Sequence, residues 1–168
     1  MNEPRVYDIT PPITPDLGVW PGDTPPSREV LLDMHKGANI TLSTLRATVH
    51  LGAHADGPNH YGKEAQAIDQ RSLEHYLGPC QVVRADVNRG QRVALSHLGF
   101  EISNLKSQIK SPRVLIHTGT FPDPRKWNND FAALDPALVD ALHGCGVITI
   151  GIDTPRVDLL DSMDLPPH

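Results

Sequence analysis

At 168 residues the chain fits one domain, residues 1–168, with a core large enough to stabilise it. With 39% hydrophobic and 21% charged residues it reads as soluble and globular, and a net charge of −5 without a basic run argues against nucleic acid or an anionic membrane surface as partner. No apolar stretch approaches the roughly 18 residues needed to span a bilayer, and Met1-Asn2-Glu3-Pro4-Arg5 lacks the basic and apolar regions of a secretory signal, so a cytoplasmic protein is expected.

In chain order, Val6-Tyr7-Asp8-Ile9 reads as a short opening strand, followed by a turn-rich run from Thr10 to Pro26. Trp20, within Val19-Trp20-Pro21-Gly22-Asp23, is either a loop anchor on the core or an aromatic wall for a ring-bearing ligand. Strands are expected over Arg28 to Met34 and over Ile40 to His50. In the second, Ile40, Leu42, Thr44, Arg46, Thr48 and His50 share the more polar side. Ser72 to Leu77 suggests a helical turn closed by Gly78-Pro79, and Cys80 to Val87 a strand. Ser96 to Lys110 has a mixed pattern that allows a helix. Pro112 to Thr118 and Val147 to Asp153 are apolar enough for buried strands. Between them Asp135 as N-cap, Pro136 at the first position and Gly144 as the stop bound a helix. Strand, helix and strand in that order imply a βαβ crossover, and the fold class is α/β, mixed and strand-rich. Cys80 and Cys145, far apart in sequence, are expected to be buried free thiols.

The segment with most chemistry is Val49-His50-Leu51-Gly52-Ala53-His54-Ala55-Asp56-Gly57-Pro58-Asn59-His60. Its three imidazoles and one carboxylate all fall at even steps, which in extended backbone is one face. A straight strand would still hold His50 and His60 roughly 33 Å apart at about 3.3 Å per residue. The segment must therefore bend, and Gly52, Gly57 and Pro58 permit that while arguing against a helix. Neutral imidazole with carboxylate suits zinc, and also manganese or iron. Among the other histidines, His35, His75, His97 and His143 read as surface or capping residues. His117 ends a strand and is able to approach a site at its carboxyl end. By position alone His168 is a frayed terminus.

The pattern His50-x-Gly52-x-His54-x-Asp56-x-Pro58-x-His60 resembles the signature of the cyclase-like metal-dependent hydrolases. Tyr7-Asp8-Ile9-Thr10-Pro11-Pro12, Val19-Trp20-Pro21-Gly22-Asp23-Thr24-Pro25, Tyr76-Leu77-Gly78-Pro79-Cys80 and Gly151-Ile152-Asp153-Thr154-Pro155 extend the resemblance to nearly the whole chain. Of these, Trp20-Pro21-Gly22-Asp23 and Ile152-Asp153-Thr154-Pro155 narrow it to the bacterial kynurenine formamidases. The resemblance implies a cyclase-like swivelling β/β/α fold and two zinc ions per subunit, with manganese or another divalent metal as the alternative. His50, His54 and Asp56 would hold one ion, with Asp56 bridging to a second that is bound by His168. His60 would be the general acid/base, Trp20 would face the substrate's ring, and the subunits would pair as a homodimer. Ala53 stands where many relatives carry threonine. Family members also continue past His168 and bridge both metals with a glutamate there, so the chain is expected to be C-terminally incomplete. Asp158, Asp161 and Asp164 have no spacing that recommends them as substitutes.

The reaction so implied is hydrolysis of N-formyl-L-kynurenine to L-kynurenine and formate, with metal-bound hydroxide as nucleophile and a proton relayed by His60. His60 as a fourth ligand, which would make the site structural, is the competing reading of that residue. Competing functions are another amidase or ester hydrolase of the same superfamily acting on a cyclic amide, and a metal-binding protein without catalysis. No Gly-x-Ser-x-Gly elbow supports a serine nucleophile.

Overall fold

The computed structural model describes residues 5–162. They fall into two compact units, one within Met1–Asp56 and Asp123–Trp127, the other within Gly57–Pro122 and Asn128–His168.

In the first unit, β1 (Ser27–Leu32) and β2 (Leu42–Arg46) form an antiparallel hairpin with Ser27 opposite Arg46 and an irregularity between Val30 and Leu32. The turn starts where Asp33 accepts a hydrogen bond from the His35 N–H, and it closes at Gly37 with φ +91°. That cap ends β1 two residues before the expected boundary. The expected strand to His50 also stops early, at Arg46. Beyond it the Thr48 N–H bonds the Thr24 carbonyl and the His50 N–H bonds the Thr48 hydroxyl, so neither is available to a strand ladder. The expected strand at 6–9 is irregular. Asp8 accepts from the Thr10 N–H in a local turn, and Pro11-Pro12 follow without donors.

The second unit is built on a parallel sheet. It contains β3 (Gln81–Arg84), β4 (Arg92–Val93), a one-turn helix α1 (Leu105–Gln108), β5 (Arg113–His117), β6 (Ala133–Leu134), α2 (Pro136–Gly144) and β7 (Thr149–Ile152). The order is β3–β5–β7, all parallel, with β4 and β6 paired separately. The chain leaves β5, passes through α2 and returns as β7 beside β5, which is the expected βαβ unit. Asp135 caps α2 by accepting from the Ala137 N–H, and Pro136 occupies the first helical position. Val83, Val114 and Ile116 of the sheet pack with Leu138 and Leu142 of α2 and with Val93, Leu98 and Val147.

Two expectations are corrected here. The helix over 96–110 is instead two 3-10 turns, Leu95–Leu98 and Ile102–Asn104, followed by α1, because Gly99 at φ +65° ends the first turn. The strands β4 and β6, two residues each, are too short to leave a periodic trace in the sequence. Cys80 is exposed and Cys145 half-buried, both as free thiols, so neither is a core residue. Arg92 reaches from β4 to the fully buried Asp158 and to Ser162. The Asp158 Oδ2 has no hydrogen-bond partner among the described residues.

Candidate metal centre

His50, His54 and Asp56 lie in the irregular segment after β2, and the first unit holds that segment by identifiable contacts. Asp23, at the end of Trp20-Pro21-Gly22-Asp23, accepts the Thr48 hydroxyl at 2.5 Å and the Thr24 N–H at 2.6 Å. The Thr48 hydroxyl oxygen accepts the His50 N–H at 3.2 Å. Asp23 is held below the usual carboxylate range, first by Thr48 and then by the Thr24 N–H, with His50 contributing charge. It is thus ionised and suited to accept both bonds. Neither Asp23 nor Thr48 was singled out from the sequence, because a short turn leaves no periodic pattern. The one signal was that Asp23 stands in the Trp20-Pro21-Gly22-Asp23 segment that carries the family resemblance.

The donor atoms form a triangle. His50 Nδ1 lies 3.0 Å from Asp56 Oδ1, His54 Nε2 lies 3.4 Å from the same oxygen, and the two nitrogens are 3.1 Å apart. A tetrahedral zinc at about 2.0–2.1 Å from its ligands places them about 3.3 Å from one another. The residues present therefore fit one such ion. The proton positions agree. His54 Nδ1 is 3.0 Å from the Gly52 carbonyl oxygen, which can only accept, so Nδ1 carries the hydrogen and Nε2 turns a lone pair toward Asp56 and His50. Gly52 presents that carbonyl from a left-handed turn at φ +62°. The hydrogen bond to Asp56 raises the His54 pKa above its ordinary value, burial opposes it, and the Gly52 carbonyl and the Asp56 charge add to the rise. A proton and a metal ion compete for the same nitrogen.

His60 belongs to the second unit and ends the 3-10 turn Pro58–His60, its N–H bonded to the Gly57 carbonyl at 2.8 Å and its ring against Tyr61. A Cβ at Gly57 would stand 2.9 Å from the Ile68 backbone nitrogen, so this turn requires glycine. Trp20 packs edge-on against Trp127 with ring centroids 5.6 Å apart, yet is 37% exposed. It is a loop anchor with an open flank. His168 lies outside the described residues. His117 ends β5 and meets Asp153, while His97 accepts the Ala94 N–H as a cap.

The family model described as "Putative cyclase" matches residues 7–159. Kynurenine formamidases of Bordetella pertussis and Bordetella bronchiseptica are each 37% identical over 164 residues, covering 98% of this chain and 76% of theirs. The kynurenine formamidase of Bordetella petrii is 36% identical over the same coverage. Among solved structures, one described as a predicted metal-dependent hydrolase from Bacillus stearothermophilus aligns with TM-score 0.68 at 21% identity, over 98% of this chain and 75% of that one. Another, described as a potential metal-dependent hydrolase with cyclase activity, aligns with TM-score 0.74 at 18% identity, over 98% and 74%. These two show a shared fold, which agrees with the mixed, strand-rich α/β architecture.

Proposed function

Because the chain belongs to the Cyclase family, we propose that it hydrolyses N-formyl-L-kynurenine to L-kynurenine and formate, with a divalent metal ion held by His50, His54 and Asp56. The observation that carries this reading is the donor triangle of 3.0–3.4 Å in a chain 37% identical to kynurenine formamidases. Zinc is the ion proposed, and manganese is the alternative that the same donors suit. A second ion would draw on Asp56 and on His168. When bound, such an ion supplies Lewis acidity, which acidifies a coordinated water and offsets negative charge on the formyl oxygen.

The protein's own residues supply the rest. His50 and His54 act as neutral donors, and the Gly52 carbonyl keeps His54 in the required tautomer. In the hydrolysis, the oxygen of water bonds to the formyl carbon and the C–N bond breaks. Its electron pair leaves on the aryl nitrogen. His60 takes the proton released by water and delivers it to that nitrogen, which matters because an unprotonated anilide is a poor leaving group. Trp20 offers its open flank to the aryl ring.

A homodimer is the proposed assembly. The hairpin of β1 and β2 exposes Val30, Leu32, Leu42 and Leu45, and a two-stranded hairpin is marginal in water unless something packs on it. No helix among the described residues is long and apolar enough to cross a membrane, and the cytoplasm is the compartment proposed.

The test combines metal analysis of the purified protein with detection of L-kynurenine and formate, before and after chelation and on re-addition of zinc or manganese. Turnover that is lost with the metal and restored by it supports the reading. Undiminished turnover in metal-free protein, or faster hydrolysis of isatin than of N-formyl-L-kynurenine, overturns it.

A further inference from the structure

Within the first unit, the turn that carries Trp20 and the loop that carries the metal ligands meet at one carboxylate. Trp20-Pro21-Gly22-Asp23 puts proline and glycine at the second and third positions of a type II turn, and Gly22 stands at φ +90°. The Asp23 N–H closes the turn on the Trp20 carbonyl at 2.9 Å. Trp20 and Asp23 are therefore fixed to each other as its first and fourth residues. The Trp20 ring stands edge-on to Trp127, and the segments bearing the two rings are tied where the Gly18 N–H bonds the Pro124 carbonyl at 2.8 Å. A Cβ on Gly18 would lie 2.8 Å from that oxygen, so this approach requires glycine.

From Asp23 the contacts run to residue 48 and close on themselves. Oδ1 accepts the Thr24 N–H at 2.6 Å, the Thr24 carbonyl accepts the Thr48 N–H at 3.0 Å, and the Thr48 hydroxyl donates to Oδ2 at 2.5 Å. Both carboxylate oxygens are used, and residues 23–24 grip Thr48 at two points. A hydroxyl has a single hydrogen. Because Asp23 takes it, the lone pairs of Thr48 Oγ1 are left for the His50 N–H at 3.2 Å. Two hydrogen bonds thus lead from the Trp20 turn to the backbone of His50.

We propose that Asp23 is a positioning residue that couples these two places: a divalent cation on His50, His54 and Asp56 steadies Trp20, and loss of Asp23 weakens the cation. A ligand that orders one end of such a chain lowers the cost of ordering the other, and the effect is reciprocal. The proposal rests on the metal centre of the proposed function and needs no turnover to test.

The chain has two tryptophans, Trp20 and Trp127, and both lie in this unit, so intrinsic fluorescence reports on that pair. In the full chain, zinc should protect this fluorescence from quenching by acrylamide. Asp23→Ala and Thr48→Val should each abolish the protection and weaken zinc by about 10- to 100-fold, read by chelator competition. Thr48→Ser keeps the hydroxyl and should behave as the wild type. The double variant should lose no more than either single one, because both break the same link. Asp16→Ala removes another exposed carboxylate of this unit, one that bonds Thr14, and should change neither readout. Absence of protection in the wild type, or protection that survives in Asp23→Ala, overturns the coupling, as do equal losses in Asp16→Ala. If the wild type takes up no zinc, the metal reading fails on its own, and the link is read in the metal-free protein. There Asp23→Ala should shift the His50 amide resonance and increase quenching, and no change in either overturns the role of Asp23.

Discussion

Replacing Gly52 by alanine tests whether the backbone turn, and not only the side chains, makes the metal centre. Gly52 has φ +62°, a region that costs an L-residue about 1–2 kcal/mol. Space is not the obstacle: a Cβ there would meet Thr10 at 3.6 Å and Leu17 and Pro11 at 3.9 Å, which are ordinary contacts. The cost is therefore in the dihedral angles, and for a chain of this size each kcal/mol lowers Tm by roughly 2–4 °C, giving a fall of about 2–8 °C. If the turn relaxes instead of bearing the strain, the Gly52 carbonyl leaves His54 Nδ1 and the tautomer is no longer held. Loss of such an outer contact typically weakens a metal about 10- to 100-fold. Gly52→Asn should be milder on both counts, because asparagine tolerates this region better. Gly37→Ala is the control: it has φ +91° with nothing within 4 Å of a Cβ, and it should lower Tm while leaving metal affinity alone. Thermal melts in chelator give the first quantity, and competition against a fluorescent zinc chelator gives the second. A Gly52→Ala protein that melts and binds metal as the wild type does would refute the reasoning. Equal metal losses in both glycine variants would refute the specific role of the carbonyl.

Four further outcomes are expected. His54→Ala and Asp56→Ala should each weaken metal binding by more than the 10- to 100-fold of an outer-shell change, read by elemental analysis after dialysis. Because Asp56 raises the His54 pKa, a proton competes for Nε2 up to a higher pH than for an isolated histidine. Metal affinity should be level above that raised pKa and fall towards tenfold per pH unit below it, measured by titration at several pH values. Asp158→Asn leaves Arg92 without its buried counter-charge and should cost about 3 kcal/mol in urea unfolding. Burial raises the Asp158 pKa, but Ser162, the Leu159 N–H and Arg92 lower it further, so its folded value lies below its unfolded one. Its stabilisation is present above about pH 4 and is lost as pH falls through the folded pKa, and the variant should lack that acid loss. Leu142→Ala, at a fully buried position in α2, should cost about 2–5 kcal/mol by the same unfolding measurement.

Helix α2 and strands β5 and β7 were legible because their signals are local and redundant. Asp135-Pro136 dictates a start, and the apolar runs Val114–Ile116 and Val147–Ile150 point to strands, of which β5 is buried at Val114 and Ile116 while β7, confined to Thr149–Ile152, is half-buried instead of buried. The hairpin was legible in outline, but its ends were not, since β2 stops where hydrogen bonds from a distant loop take over. The interrupted stretch after β4 misled because its apolar residues pack from separate turns that share no helical axis.

The spacing of His50, His54 and Asp56 by itself marked these side chains as candidate cation ligands, since residue type decides which atoms can ligate a cation and turn-forming glycines decide that the chain must bend. It could not determine how the bend is held or which protons each imidazole keeps. Those depend on partners brought near by folding: Thr48 braced by Asp23, and His54 braced by Gly52. Hydrogen bonds between residues far apart in the chain have no periodic trace in sequence, and only the tertiary structure decides them.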